Sequence, residues 1–224
     1  RAAGLLQNYR GRALLILTGA CPVHCRYCFR RHFPYSDGPR SIAEFQPALD
    51  AIAGDDSIQE VIFSGGDPLT LVDERLAELT QAIAAIGHVL RLRVHTRMPI
   101  MIPQRVTPLM LDWLTGTRLT PVIVVHANHP REIDEAVKHS LSRIADAGTM
   151  LLNQAVLLAG VNDDADVLIE LSRRLLGCRV LPYYLHQLDR VAGAAHFEVD
   201  EAVGKQLIRR MQKELPGYAV PRYV

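Results

Sequence analysis

The sequence contains no long apolar run, no excess of charge of one sign, and few cysteines. No stretch reaches the about 18 to 20 uninterrupted apolar residues that cross a bilayer, which argues against a membrane span. The 25 basic and 24 acidic residues give a net charge of +1, so nothing indicates nucleic acid or an anionic membrane as a partner. Four cysteines in 224 residues argue against an oxidised scaffold. We therefore expect a cytoplasmic protein.

The remaining composition is ordinary for one globular α/β domain, which we expect to cover residues 1–224. Apolar runs typical of strands alternate with amphipathic stretches typical of helices, and this alternation predicts a partial, TIM-like (β/α)6 barrel. The predicted strands are 13–18, 60–64, 90–95, 121–126, 150–158 and 179–185, and the predicted helices are 42–53, 73–86, 108–114, 131–147, 164–176 and 200–215. Asp73 and Asp164 are expected to cap two of these helices.

Three of the four cysteines, Cys21, Cys25 and Cys28, lie within eight residues after the first predicted strand. A 4Fe-4S cluster held by three thiolates leaves one iron open to another ligand. The alternatives are a structural zinc site with His24 or His32 as its fourth ligand, or a disulfide with one spare thiol. Structural zinc usually uses two separated ligand pairs, and the fourth cysteine is far away in the sequence. The spacing therefore favours an iron-sulfur site.

Polar segments follow three further predicted strands, at residues 64–68, 94–97 and 126–130. Loops after parallel barrel strands share one face, so we expect the functional site there. Gly65 and Gly66 would let the backbone approach a ligand closely, because neither has a Cβ. The alternative is a tight turn in which Asp67 caps a helix. The pair His126 and His129 is not interpreted as a separate metal site.

The cysteine segment, residues 21–31, resembles the cluster-binding signature of radical S-adenosylmethionine (SAM) enzymes. Its continuation to Tyr35, together with residues 6–12, resembles the lysine 2,3-aminomutase family, and within it the branch that makes β-lysine for modifying elongation factor P. The resemblance covers essentially the whole chain. It implies a radical SAM core fold, an isomerase activity converting α-lysine to β-lysine, and three cofactors: a 4Fe-4S cluster, SAM and pyridoxal phosphate (PLP).

The resemblance also implies roles for individual residues. For the cluster it implies three ligands: Cys21, Cys25 and Cys28. For SAM it implies contacts from the glycine segment, Ser64, Gly65, Gly66 and Asp67, and it places His126 in the lining of the cofactor pocket. His95 and Arg97 end the third predicted strand, where they could offer polar contacts to a ribose or a carboxylate. For PLP it implies Tyr9, Arg12 and Gln154. For lysine it implies Arg30 at the carboxylate, because a guanidinium forms a bidentate fork, and Asp189 at the ε-ammonium. The alternative for each polar residue is a salt bridge or a core hydrogen bond.

Two departures from the family pattern stand out. The only lysines, Lys138, Lys205 and Lys213, fall in predicted helices, and none matches the family's Schiff-base lysine for PLP. Because of this, and because the chain starts without methionine, we expect a fragment without the family's N-terminal extension and C-terminal PLP-lysine segment. Asp164 stands where clostridial-type members carry a zinc-binding cysteine, which favours the elongation-factor-P branch.

The resemblance further implies free lysine as substrate, a flavodoxin- or ferredoxin-like electron donor, and a functional link to elongation factor P and its lysyl ligase. SAM cleavage would yield a radical that takes hydrogen from the β-carbon of lysine held on PLP, while the protein supplies orientation and excludes water. Two alternatives stay open: a radical SAM aminomutase acting on another amino acid, and a non-enzymatic zinc-binding module. The sequence leaves the oligomeric state open.

Overall fold

A computed structural model describes residues 2–32, residue 39 and residues 41–224. Within these residues, eight strands form one sheet in chain order: β1 Leu5–Tyr9, β2 Arg12–Thr18, β3 Glu60–Gly65, β4 Arg91–Thr96, β5 Thr120–Val125, β6 Met150–Val156, β7 Val180–His186 and β8 Arg222–Tyr223. β1 pairs antiparallel with β2, and all later pairs are parallel.

Helices occupy the connections between the parallel strands: α1 Gln46–Ala53, α2 Asp73–Ala84, α3 Met98–Met101, α4 Pro108–Thr115, α5 Glu135–Asp146, α6 Ala165–Gly177 and α7 Glu201–Glu214. Strands β2 to β7 therefore form six successive β/α units in sequence order, which confirms the predicted partial (β/α)6 barrel. None of the helices in the described part of the chain combines the length and the apolar character needed to cross a membrane.

The helix starts test the predicted caps. The Asp164 side chain accepts hydrogen bonds from the second and third residues of its helix, so it caps α6 as predicted. Asp73 is the first residue of α2 and does not cap it, so that prediction is wrong. Its carboxylate instead accepts hydrogen bonds from Arg105, Thr107 and Trp113, because these donors lie close in space although they are distant in sequence.

Three elements were not predicted. β1 forms a hairpin with β2 through Arg10 and Gly11, and Gly11 has φ +85°, which suits a two-residue hairpin turn. β8 adds two residues beside β7, and α3 is a single turn that begins at Met98. The helix predicted over 131–147 divides into a 3-10 turn, Pro130–Glu132, and helix α5, which Asp134 caps.

The two faces of the sheet carry different side chains, because successive residues of a strand point to opposite sides. On the outer face, residues such as Phe63, Leu92 and Ile123 are buried in one apolar core with the helices. We call the opposite side the inner face. It has a buried apolar floor outside that core, formed by four side chains: Ile16, Ile62, Val122 and Val124. Towards the carboxyl ends of the strands, the inner face becomes polar.

Candidate functional site

The cysteine loop, residues 20–31, follows β2 and contains three half-buried thiols that form no disulfide. The loop is folded by its own backbone bonds, from the amide of Cys28 to the carbonyl of Cys25 at 3.1 Å and from Arg31 to Cys28 at 3.2 Å. Tyr27 packs against a small apolar cluster that includes Leu158, which follows β6. The loop is therefore fixed to the carboxyl end of the sheet.

The three thiols are donors of the kind that hold an iron-sulfur cluster. Burial raises the pKa of the Cys21 thiol, and the negative charges of Asp67, Cys25 and Cys28 raise it further, so the three sulfurs share one neighbourhood. In the described ranges, no three His, Cys, Asp or Glu side chains converge where one metal ion could bind. Three thiolates are the donor set that a 4Fe-4S cluster takes from a protein when one of its irons is left open.

The glycine segment, residues 64–67, packs directly on the start of the cysteine loop. The amide of Gly66 donates to the carbonyl of Thr18 at 2.8 Å, and the amide of Asp67 donates to the carbonyl of Ala20 at 2.8 Å. A Cβ on Gly65 would lie 2.4 Å from the Thr18 oxygen, and one on Gly66 would lie 2.3 Å from the Ala20 oxygen. Glycine is therefore required here by backbone packing. A SAM contact from this segment stays a prediction.

Asp67 joins the ends of β3 and β4. Its carboxylate accepts hydrogen bonds from the Leu69 amide at 3.0 Å, the Thr96 hydroxyl at 2.7 Å and the Arg97 amide at 2.7 Å. Burial raises the pKa of Asp67, although these hydrogen bonds oppose the shift. The side chain caps the 3-10 turn Pro68–Thr70, so the capping alternative is confirmed. Any SAM contact by Asp67 would have to share these oxygens.

The Arg97 guanidinium points towards the cysteine loop. Its Nη1 donates to Cys25 Sγ and to Tyr27 Oη, both at 2.9 Å, and its Nη2 donates to Glu132 Oε2 at 2.6 Å. Burial opposes charge on Arg97, but Tyr27, Glu132 and Cys25 raise its pKa above the ordinary value. Burial also raises the pKa of Tyr27 to about 12. The site thus holds a cation beside one of the predicted cluster ligands.

Buried asparagines fasten the loops around this network. Asn128 donates to Tyr27 Oη and accepts from the Val156 amide at 2.9 Å, which ties the cysteine loop to the ends of β5 and β6. The Asn153 side chain accepts a hydrogen bond from the Ala127 amide at 2.8 Å and donates one to the Ala127 carbonyl at 3.0 Å. These side chains fix the loops that surround the inner face.

Three histidines and a glutamine lie on the inner face near the carboxyl ends of the strands. The rings of His95 and His126 lie 6.0 Å apart, and Gln154 Nε2 lies 3.2 Å from His186 Nε2. Burial lowers the pKa of all three histidines, to about 4 for His126 and well below the ordinary value for His95. His95 Nε2 is buried without a hydrogen-bond partner among the described residues. A bound polar ligand would satisfy this atom.

Arg30 reaches from the cysteine loop to the end of β3. Its Nη1 donates to Ser64 Oγ at 2.7 Å and to the Gly65 carbonyl at 3.3 Å. The guanidinium carbon also lies 5.2 Å from the centre of the Phe29 ring. This arrangement brings a fixed positive charge next to the glycine segment, at the same end of the sheet as the thiols.

Comparison with known proteins agrees with this geometry. A model of the radical SAM superfamily matches residues 15–171. The chain belongs to this superfamily. Membership implies a 4Fe-4S cluster and SAM, for which the cysteine loop supplies a fitting donor set.

Two curated relatives of this radical SAM chain are named L-lysine 2,3-aminomutase. The Haemophilus influenzae protein is 48% identical over 218 residues, or 97% of this chain and 64% of that protein. The Escherichia coli protein is 44% identical over 219 residues, or 98% of this chain and 64% of that protein. The chain thus spans just under two thirds of their length. The sequence resemblance to this family is confirmed.

A solved structure shares the fold. Streptococcus suis SuiB bound to S-adenosylmethionine matches with a TM-score of 0.69 over 96% of this chain and 50% of that chain. The sequences are only 11% identical, so the match concerns the fold alone.

Two residues predicted to contact PLP, Tyr9 and Arg12, lie away from the cysteine loop. Arg12 stacks on Tyr9 with 4.2 Å between its guanidinium carbon and the ring centre. Arg12 pairs with Glu60 at the amino end of the sheet, whereas Thr18 pairs with Gly65 beside the cysteine loop. Six residues of β-strand span about 20 Å, so the structure does not bring Tyr9 and Arg12 to the loop. Their contact with PLP stays a prediction.

Asp189 lies near the site but is exposed, three residues after the end of β7. Burial lowers the pKa of His186, and the negative charge of Asp189 opposes that shift, so the two groups are neighbours. The position suits a group at the rim of the inner face. Its contact with a substrate ammonium stays a prediction.

All three lysines lie on the outer helices of this radical SAM core. Lys138 on α5 pairs with Glu135, and Lys205 on α7 pairs with Glu201. Lys213 is in the last turn of α7. The residues present therefore do not fit a covalent attachment of PLP.

Sequence reasoning missed three residues of the site: Tyr27, Glu132 and His186. Glu132 carries a usable signal, because it stands three residues after His129 and completes a capping box at the Pro130–Glu132 turn. His186 ends its strand, just as His95 lies at the end of β4. Tyr27 has no local signal, since its role depends on contacts with distant loops.

Proposed function

We propose that this chain is the core domain of a radical SAM L-lysine 2,3-aminomutase that converts α-lysine to β-lysine. The relatives with this name, at 44% and 48% identity, support the proposal. The observation that carries it is Arg30, held at Ser64 beside the glycine segment and on the same side as the thiols. A guanidinium is the group best suited to bind an amino acid's carboxylate.

The cluster and SAM, when bound, would supply one-electron chemistry that removes hydrogen from an unactivated carbon. Cys21, Cys25 and Cys28 would each ligate one iron. Arg30 would orient the substrate carboxylate towards the inner face. The buried histidines offer hydrogen bonds without adding charge, because their lowered pKa values keep them neutral near pH 7. The apolar floor excludes water that would quench a reactive site.

The proposal extends to partners. Free lysine is the substrate, a flavodoxin- or ferredoxin-like protein is the electron donor, and β-lysine serves the modification of elongation factor P with its lysyl ligase. Asp164 supports this branch, because it stands where the clostridial type carries a zinc-binding cysteine. We place the protein in the cytoplasm, consistent with the balanced charge of the chain.

A second candidate is a radical SAM aminomutase acting on another amino acid. The exposure of Asp189 supports this second candidate, because a carboxylate screened by solvent distinguishes an ammonium group only weakly from other side chains. The carboxylate clamp at Arg30 would serve any amino acid. Comparing lysine with glutamate as substrates separates the two candidates.

The first test is anaerobic reconstitution with iron and sulfide, followed by electron paramagnetic resonance (EPR) of the reduced protein with and without SAM. We expect a 4Fe-4S signal that changes when SAM is added. Cys25→Ala should prevent cluster assembly, whereas Cys178→Ala, which alters a buried cysteine outside the loop, should keep the wild-type iron content. Zinc uptake instead, or a cluster insensitive to SAM, would contradict the proposal.

The second test measures turnover. The reconstituted protein is supplied with SAM, PLP, reductant and lysine, and β-lysine is detected by mass spectrometry. The same assay with glutamate tests the second candidate. A cluster that responds to SAM but gives β-glutamate and no β-lysine would replace the first function by the second.

A further inference from the structure

Arg97 is placed unusually for a residue expected to contact a cofactor. Its backbone amide is used by Asp67, and its guanidinium is used by Cys25, Tyr27 and Glu132. The side chain is 17% exposed and that of Glu132 is 20% exposed, so the ion pair is largely removed from water. The guanidinium is therefore oriented towards the cysteine loop.

The acceptors around Arg97 explain why this orientation is fixed. One carboxylate oxygen of Glu132 accepts a hydrogen bond from Arg97 Nη2. The other oxygen accepts hydrogen bonds from the backbone amides of Asn128 at 2.7 Å and His129 at 2.9 Å. Tyr27 Oη accepts from both Arg97 and Asn128. Each acceptor is itself held by a loop after β2 or β5. Nη1 is thus directed at Cys25 Sγ, 2.9 Å away.

We propose that Arg97 is a positioning residue for the iron-sulfur cluster: it donates a hydrogen bond to the sulfur of Cys25 and thereby raises the cluster's reduction potential. The inference rests on the cluster that the proposed function requires. Reduction adds one electron to the cluster and makes it more negative. A positive charge and an N–H donor at a ligating sulfur both stabilise that reduced state.

Glu132 has the opposite electrostatic effect. Its carboxylate orients Arg97 but also places a negative charge near the same sulfur, which partly cancels the field of the guanidinium. Partly buried charges are weakly screened by salt, so both effects should reach the cluster. The pair therefore predicts shifts of opposite sign when either charge is removed.

The test is an EPR-monitored redox titration of the reconstituted protein, without lysine or PLP, in which dithionite supplies the electron. Arg97→Gln should shift the midpoint potential to a more negative value than wild type. Arg97→Lys should give an intermediate value, because it keeps the charge but not the fork that reaches all three acceptors. Glu132→Gln should shift the midpoint to a more positive value.

The matched control is Arg105→Gln. Arg105 pairs with Asp73 at 2.7 Å, and both side chains are 15% exposed, but its hydrogen bonds go to the segments around α2. It should leave the midpoint unchanged even if it lowers stability. This separates an effect on the cluster from the loss of any buried ion pair.

An unchanged midpoint in Arg97→Gln with a full iron load would overturn the inference, as would a negative shift in Glu132→Gln. If Arg97→Gln assembles no cluster, two other variants test the inference. Glu132→Gln must shift the midpoint potential to a more positive value, and Tyr27→Phe must shift it by less than Arg97→Lys does. A wild-type protein that assembles no cluster would instead overturn the proposed function.

Discussion

The outer and inner faces of the sheet differ at the ends of β3 and β4, although the residues that form them are neighbours in the sequence. Phe63 and Val94 face the helices in the apolar core, while the residues that follow them, Ser64 and His95, face the inner side. The outer residues contribute apolar burial. The inner residues contribute hydrogen-bonding groups, one of which, His95 Nε2, has no partner among the described residues.

This difference shows how one strand serves both stability and chemistry. Burying polar groups without partners lowers stability, so the inner face has to be supported by the outer core. The unpartnered Nε2 of His95 would then be available for a ligand rather than used in the fold. Substitutions on the two faces should therefore have separable effects.

Phe63→Ala on the outer face should have the largest effect. Phe63 is 0% exposed in the core, and removing a buried phenyl group costs about 3–5 kcal/mol of unfolding free energy. Urea denaturation measures this. The control is Val72→Ala, which truncates an exposed side chain and should change stability by less than about 0.5 kcal/mol. A loss for Phe63→Ala as small as that of the control would contradict the assignment of the faces.

His126→Gln on the inner face should change the pH dependence of stability. Native His126 stays neutral down to its lowered pKa of about 4, whereas in the unfolded chain the same histidine binds a proton near its ordinary pKa of 6.5. The unfolded state therefore holds more protons between these pH values, and wild-type stability falls as pH drops through this window, by at most about 3 kcal/mol. The variant should lose less stability over the same range.

Urea denaturation at several pH values from 7 to 4 measures this effect. The control is His139→Gln, which replaces an exposed histidine on α5 and should keep the wild-type slope. Equal slopes for wild type and His126→Gln would mean that His126 is not held neutral in the fold.

Arg30→Lys should reduce binding while leaving the core intact. A hydrogen bond to a charged group contributes about 1.5–3 kcal/mol, so losing one arm of the fork should weaken lysine binding about 10- to 100-fold. Calorimetric titration of the reconstituted protein with lysine measures this. Arg31→Lys, at the exposed neighbouring position, is the control and should bind normally. Equal affinity of Arg30→Lys and wild type would remove the carboxylate role.

Much of this architecture follows from local patterns. The apolar runs predict β2 to β7 to within two residues at each end, because a strand and its turn signals are adjacent in sequence. The cysteine loop is equally local. The orientation of the Arg97 side chain is not predictable from local sequence, since its carboxylate partner Glu132 lies 35 residues away. The cap predicted at Asp73 is wrong for a similar reason: its carboxylate binds Arg105, which lies 32 residues away. Contacts of this kind depend on which loops the fold brings together.

Asp189→Asn should have the smallest effect. The carboxylate is exposed at the rim, and exposed ion pairs contribute about 0.2–1 kcal/mol, so preference for lysine over norleucine should fall by at most about fivefold. Competition between the two amino acids in the turnover assay measures this ratio. The control is Glu198→Gln, which removes a surface partner of Arg190. An unchanged preference would show that lysine is selected elsewhere, and a much larger fall would mean that Asp189 becomes buried when substrate binds.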